Sequence, residues 1–240
     1  MMLEELRHLF AHIGPSASRI EYEAAIIDEN VLGKPSRKAR ELTFRHMVAL
    51  YGFDQSIPIF RVFSQLWSMN PLAQPLLSLS MSLARDALLR ASFDFMLNRS
   101  IGSIVRRNEV EDLLRLSFPG RFSAASLTSF AQNISGTWTA AGILKGYAPK
   151  VRVQPAVHAE VVTFLLFLAY LEGRSGQRLF ASNWLSLLDI PTSDIEGMAS
   201  VAANRGLLVF MNAGGVKEVR FPGYLTHEEE LIQREIADGI

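Results

Sequence analysis

The chain has no cysteine in its 240 residues. That absence excludes disulfides, thiolate zinc sites and cysteine nucleophiles together. It has no net charge either, 24 basic residues being matched by 24 acidic ones. A protein that coats nucleic acid through its overall field is therefore not expected, and any such binding must use local clusters. A long hydrophobic run is missing too. The most apolar stretch, residues 161–171, is bracketed by Glu160 and Glu172. It falls far short of the roughly 20 apolar residues a membrane span requires and reads as a buried core helix. The start, Met1-Met2-Leu3-Glu4-Glu5-Leu6-Arg7, lacks the basic-then-apolar order of a secretory signal. A cytoplasmic protein without membrane contact is the expectation.

What is present is the composition of a packed globular chain, 49% hydrophobic and 20% charged. Apolar residues recur at helical spacing over residues 2–12, 17–31, 36–51, 57–69, 74–98, 108–117, 123–143, 155–172, 178–188 and 193–205. Pro35, Pro58, Pro71 and Pro155 each stand ahead of such a segment, where proline is tolerated. The fold class expected is mainly α.

Residues 207–221 are the exception. Leu207-Leu208-Val209-Phe210-Met211 is followed by Asn212-Ala213-Gly214-Gly215 and then by Val216-Lys217-Glu218-Val219-Arg220-Phe221. The glycines supply the positive φ of a tight connection, and Val219 and Phe221 share one face while Glu218 and Arg220 share the other. Before this hairpin, Ser193 and Glu196 have capping-box spacing, and Gly206 closes the helix they open. A long helix, a shorter one with Trp184 and Leu187, a turn at Asp189-Ile190-Pro191, a second short helix and a hairpin make the order of a winged helix-turn-helix. Trp138 to Leu144 echo the helix, glycine, apolar-pair order of Ala203 to Leu208. Two helix ends would produce that echo anyway, so a second helix-turn-helix-like unit between Phe122 and Leu144 stays an open alternative. The expected domains are a helical one over 1–104, a winged-helix-like one over 105–222 with one β-hairpin, and an acidic, solvated tail over 223–240.

No phosphate-cradling loop, dinucleotide fingerprint or G-x-S-x-G elbow is present. His8 and His12 share a helix face, but Leu9 stands where a metalloprotease helix has glutamate. No catalytic residue, metal, cofactor or small-molecule substrate is expected. Most aromatics recur on apolar faces and read as core. Trp138, after the polar run Asn133, Ser135, Gly136 and Thr137, is the better candidate for an exposed contact.

Three basic clusters remain. Lys34, Arg37, Lys38, Arg40 and Arg45 face one acid, Glu41, which sits four residues from Arg37 and from Arg45 and can pair with them. Lys145, Lys150 and Arg152 have no acid between them, and Arg99, Arg106 and Arg107 form the third cluster. Cations in such clusters suit phosphates, although a solvated surface produces the same pattern. In the helix before the hairpin, Asp194 and Glu196 argue against base readout. Ser200, Asn204 and Arg205 remain there for DNA, with Lys217 and Arg220 on the hairpin.

The segment Ile26-Ile27-Asp28-Glu29-Asn30-Val31-Leu32-Gly33-Lys34, with Ser36-Arg37-Lys38-Ala39-Arg40 and a helix ending Leu50-Tyr51-Gly52, resembles the N-terminal part of BrxA, the small component of BREX phage-defence systems. Phe118-Pro119-Gly120-Arg121-Phe122-Ser123, Asn133-Ile134-Ser135-Gly136-Thr137-Trp138 and Gly206-Leu207-Leu208 are similar to it as well. The resemblance implies a compact helical protein that binds double-stranded DNA without a cofactor and supports larger BREX enzymes. On it, Lys34, Arg37, Lys38 and Arg40 become DNA contacts, and other BREX proteins become further partners. A protein adaptor and a winged-helix transcriptional regulator are the competing readings.

Overall fold

The computed structural model describes residues 1–238, and they are mainly helical. In chain order they form α1 (Leu3–Ile13), α2 (Arg19–Ile27), α3 (Arg37–Tyr51), α4 (Pro58–Trp67), α5 (Gln74–Arg85), α6 (Ala87–Arg90), α7 (Phe93–Leu97), β1 (Ile104–Val105), α8 (Arg107–Ser117) and α9 (Ala124–Ala140). Then come β2 (Leu144–Lys145), β3 (Lys150–Arg152), α10 (Ala159–Leu171), α11 (Gln177–Phe180), a 3₁₀ helix (Asn183–Leu188), α12 (Thr192–Asn204), β4 (Val209–Ala213), β5 (Val216–Arg220) and α13 (His227–Asp238).

Side-chain caps account for many of the boundaries. Ser18 and Glu21 form a reciprocal capping box on α2, and Ser36 and Ser123 cap α3 and α9. The segment 74–98, expected as one helix, breaks at Asp86 because its carboxylate accepts from the Leu88 and Leu89 amides at 2.8 and 3.2 Å and restarts the chain as α6. The capping box expected at Ser193 and Glu196 is not formed. Pro191 stands at the N-cap of α12, Ser193 lies inside its first turn, and the Glu196 carboxylate turns to Lys217 and Asn212.

The chain divides into two compact units, one of Met1–Gln55 with Ser78–Pro155, the other of Ser56–Leu77 with Ala156–Ile240. Each is built from two separated stretches, so the boundary expected at residue 104 falls inside the first. In that unit Phe10, Tyr22 and Phe53 form an aromatic core, with the Tyr22 and Phe53 rings stacked at 4.4 Å. Trp138 belongs to this interior as well. It is wholly buried and its Nε1 donates to Ser92 Oγ at 2.8 Å, which corrects the expectation of an exposed contact.

In the second unit α10 is buried on every side from Ala159 to Ala169 and forms the centre, packed by α4, the 3₁₀ helix and α12. The tail is no detached solvated helix. Arg61 Nη2 on α4 meets Glu229 at 2.5 Å, and Gln233, buried, donates to the Tyr170 carbonyl.

Both units share one local order, two packed helices followed by a hairpin. In each the second helix closes on a glycine: Gly142 (φ 79°) has Ile143 N–H donating to Trp138 O at 3.1 Å, and Gly206 (φ 72°) has Leu207 N–H donating to Ala202 O at 3.0 Å. These are the back-reaching bonds of a Schellman motif. In the first unit the hairpin β2–β3 takes in β1, giving a three-stranded antiparallel sheet in the order β1-β3-β2. In the second, β4 and β5 pair alone, joined by Gly214 and Gly215 at φ 59° and 86°.

Candidate nucleic-acid interface

The neutral total conceals a division along the sequence. Between Arg99 and Arg152 there are eight basic and three acidic residues, a net charge of +5, whereas between Glu160 and Asp238 there are six basic and eleven acidic, a net charge of −5. No acid occurs between Asp112 and Glu160. A local positive field of this size can hold phosphates even though the whole chain is neutral.

The positive segment folds into β1-α8-α9-β2-β3 and encloses a groove of about 630 Å³. Three elements meet there. Arg106 and Arg107 come from the start of α8, Gln132 and Ser135 from the middle of α9, and Tyr147 and Lys150 from the β2–β3 hairpin. Ser135 is 5% exposed, and its Oγ has no hydrogen-bond partner among the described residues.

The cations around the groove are unequally committed. Arg106 is exposed, makes no ion pair among the described residues, and donates its backbone N–H to Glu109 at 2.7 Å. Arg107 pairs with Glu111 at 2.9 Å yet stays 57% exposed. Arg99 is held by Glu109 at 2.7 Å. Burial alone would raise the Glu109 carboxyl, but the Arg106 amide and Arg99 outweigh it and hold it below the usual range, so Arg99 keeps a charged partner. Lys145 is exposed and makes no ion pair among the described residues, and Lys150 Nζ donates to Thr139 Oγ1 at 2.8 Å, tying the hairpin to the end of α9.

Helix α9 carries no charged residue along its 17 positions. Its buried side holds Leu127, Ala131, Ile134 and Trp138, leaving Ser129, Gln132, Asn133 and Gly136 outward. That is a neutral polar face framed by cations.

The other expected contacts divide sharply. Arg152 is wholly buried and donates to the carbonyls of Met96 (3.3 Å), Ile143 (3.4 Å) and Val153, so it braces the sheet and cannot meet DNA. In the α3 cluster, Lys34 pairs with Glu5 at 3.1 Å, Arg37 sits between Asp28 and Glu41 at 3.3 and 3.2 Å, and Arg40 donates to the Ile27 carbonyl at 2.5 Å. Only Lys38 and Arg45 are exposed without an ion pair among the described residues.

In the second unit Lys217, 13% exposed, is pinned 2.5 Å from Glu196 and lies over the Phe180 ring, so it is withdrawn from DNA. Arg220 pairs with Glu218 and Arg205 with the buried Glu160, both at 2.5 Å. The Ser200 hydroxyl donates to the Glu196 carbonyl at 3.0 Å, and the Asn204 side chain is exposed with no hydrogen bond among the described residues.

Charge pattern groups Arg106 and Arg107 without marking them as a site, and it gives no sign of Gln132 or Tyr147. The one available signal was Gly146 and Pro149 between Lys145 and Lys150, a turn flanked by cations. His12 faces Glu29 at 3.1 Å and His8 the Glu4 carbonyl at 2.9 Å. Among the described residues no three His, Asp or Glu side chains converge as a metal would require, and no helix is long and apolar enough to cross a membrane. No protein-family model, no curated protein and no solved structure matches the chain.

Proposed function

We propose that this protein binds double-stranded DNA, mainly through its phosphate backbone, as a non-catalytic accessory component of a BREX-type phage-defence system. The observation that carries the DNA reading is the groove in the first unit, where Arg106, Arg107 and Lys150 meet beside the uncharged outward face of α9. The order β1-α8-α9-β2-β3 with sheet order β1-β3-β2 supports a winged-helix reading of this segment, in which the second helix would enter the major groove and the hairpin would lie beside it. On this reading the DNA-facing part is residues 104–152 and not the α12–hairpin region from which the winged helix was read in the sequence. The place in phage defence rests on the BrxA resemblance of the chain.

The test is fluorescence anisotropy of a labelled duplex at several salt concentrations, with the parent protein and with Arg106→Gln/Arg107→Gln/Lys145→Gln. Three lost phosphate contacts should weaken binding and lower the salt slope by about 0.9 for each. Unchanged affinity and slope would remove the groove from the interface.

A second reading, a protein-docking adaptor, is favoured for the second unit alone. Its α12–hairpin face has cations spent on Glu196 and Glu218 and lies in the segment of net charge −5, which phosphates would avoid.

A further inference from the structure

Tyr147 is 96% exposed, the most exposed large hydrophobic side chain among the described residues. It sits at the tip of the β2–β3 hairpin, between Lys145 and Lys150, and lines the same groove as Arg106, Arg107 and Gln132. A ring left in water at that place serves nothing in the first unit's own packing. Its support, by contrast, is firmly held. Lys150 Nζ reaches Thr139 Oγ1 at 2.8 Å, Lys145 and Val151 are paired across the strands, and Gly146 turns at φ 97° against the Pro149 carbonyl.

Helix α9 offers little to read bases with, since only Gln132 and Asn133 among its outward residues have amide groups for base edges. Selectivity at such a surface must then come largely from the shape and deformability of the duplex. An aromatic side chain on a rigid tip, with cations on both sides to hold the flanking phosphates, fits the role of a wedge that enters the minor groove and parts a base step.

We propose that Tyr147 is such a wedge, and that the preferred ligand is a B-form duplex containing flexible pyrimidine–purine steps, which the protein bends. The inference rests on the DNA reading above and adds to it the class of duplex and the residue that selects it. The hydroxyl is not needed for insertion; the ring is.

Two duplexes of about 20 base pairs decide it, each labelled at both ends with a donor–acceptor pair, one with central TA and CA steps and one with a central A-tract. The parent protein raises energy transfer on the first duplex and binds it several-fold more tightly than the second. Tyr147→Ala binds both equally, keeps the parent's salt slope and leaves transfer at the level of free DNA, while Tyr147→Phe behaves as the parent. Parent-like bending and preference by Tyr147→Ala, or binding by the parent without bending, overturns the wedge and leaves DNA binding intact. Failure of the parent to bind either duplex at low salt overturns the DNA reading, and the wedge with it.

Discussion

Arg205 Nη2 lies 2.5 Å from Glu160 Oε1, and the two meet on unequal terms, since the carboxylate is wholly buried and the guanidinium is 44% exposed. Asn70 donates to the other carboxylate oxygen at 3.1 Å. Burial pushes the Glu160 carboxyl up, but a backbone amide, Asn70 and Arg205 outweigh it and hold it below the usual carboxylate range. Arg205 was expected to reach DNA; its work is to keep a buried charge paired at the N-terminus of α10.

Arg205→Gln should therefore destabilise the protein by roughly 2 kcal/mol, less than for a fully buried pair because half of Arg205 is in water. The pH dependence carries the sign. In the parent the depressed Glu160 contributes stability above its unfolded value of about 4.3 and loses it as pH falls. In the variant Arg205 no longer helps to hold the carboxyl down, so it stands above its place in the parent and protonation costs the variant less. Thermal melts should show the gap between parent and variant narrowing from about pH 7 to about pH 4; a gap that widens would deny the pair this role.

The α3 cluster makes a contrasting prediction. Lys34, Arg37 and Arg40 are already engaged by Glu5, Asp28, Glu41 and the Ile27 carbonyl. Neutralising Lys38 and Arg45 should lower the salt slope of DNA binding by less than one to two charges' worth, and neutralising Lys34, Arg37 and Arg40 should chiefly lower the melting temperature. Salt-dependent anisotropy beside thermal melts separates the two. A large slope change from the second set would return that cluster to the interface.

The sequence conveys some of this and conceals the rest for physical reasons. Helical spacing reveals most of the helices, because a 3.6-residue period repeats several times within each. The hairpin at Gly214-Gly215 is visible because its strands are five residues long. Strands β1, β2 and β3 are two or three residues long, too short for alternation to register, so the sheet that builds the groove was unseen. Arg152 looked like a partner of Lys145 and Lys150, yet its strand turns it inward onto carbonyls, a placement no charge pattern records. The cation pairs depend on residues far apart in sequence, as with Lys34 and Glu5 or Lys217 and Glu196, and local spacing cannot show them.

Arg152 supplies a prediction of stability without binding. Its guanidinium is sealed among carbonyls and its backbone ties β3 to the segment before β1, with Gly102 N–H donating to Arg152 O at 2.8 Å. Arg152→Ala should cost about 3 kcal/mol or more by leaving buried carbonyls unpaired and opening a cavity. Where the variant still folds, the salt slope of DNA binding should match the parent. A lower slope at unchanged stability would mean that Arg152 reaches phosphate after all.

The two hairpins offer the most direct comparison of the two units. Gly146 has φ 97°, and a Cβ there would stand 2.8 Å from the Pro149 carbonyl oxygen, so Gly146→Ala must shift the backbone between Lys145 and Tyr147 as well as bear a strained dihedral. Gly214 has φ 59° and open space around it, so Gly214→Ala bears the dihedral cost alone, on the order of 1 kcal/mol. Both variants should fold, with Gly146→Ala the less stable. Only Gly146→Ala should weaken duplex binding, because only its hairpin carries the exposed Lys145 and Tyr147. Equal weakening by the two substitutions, read by anisotropy at fixed salt, would place both hairpins on DNA and remove the basis for assigning the second unit to a protein partner.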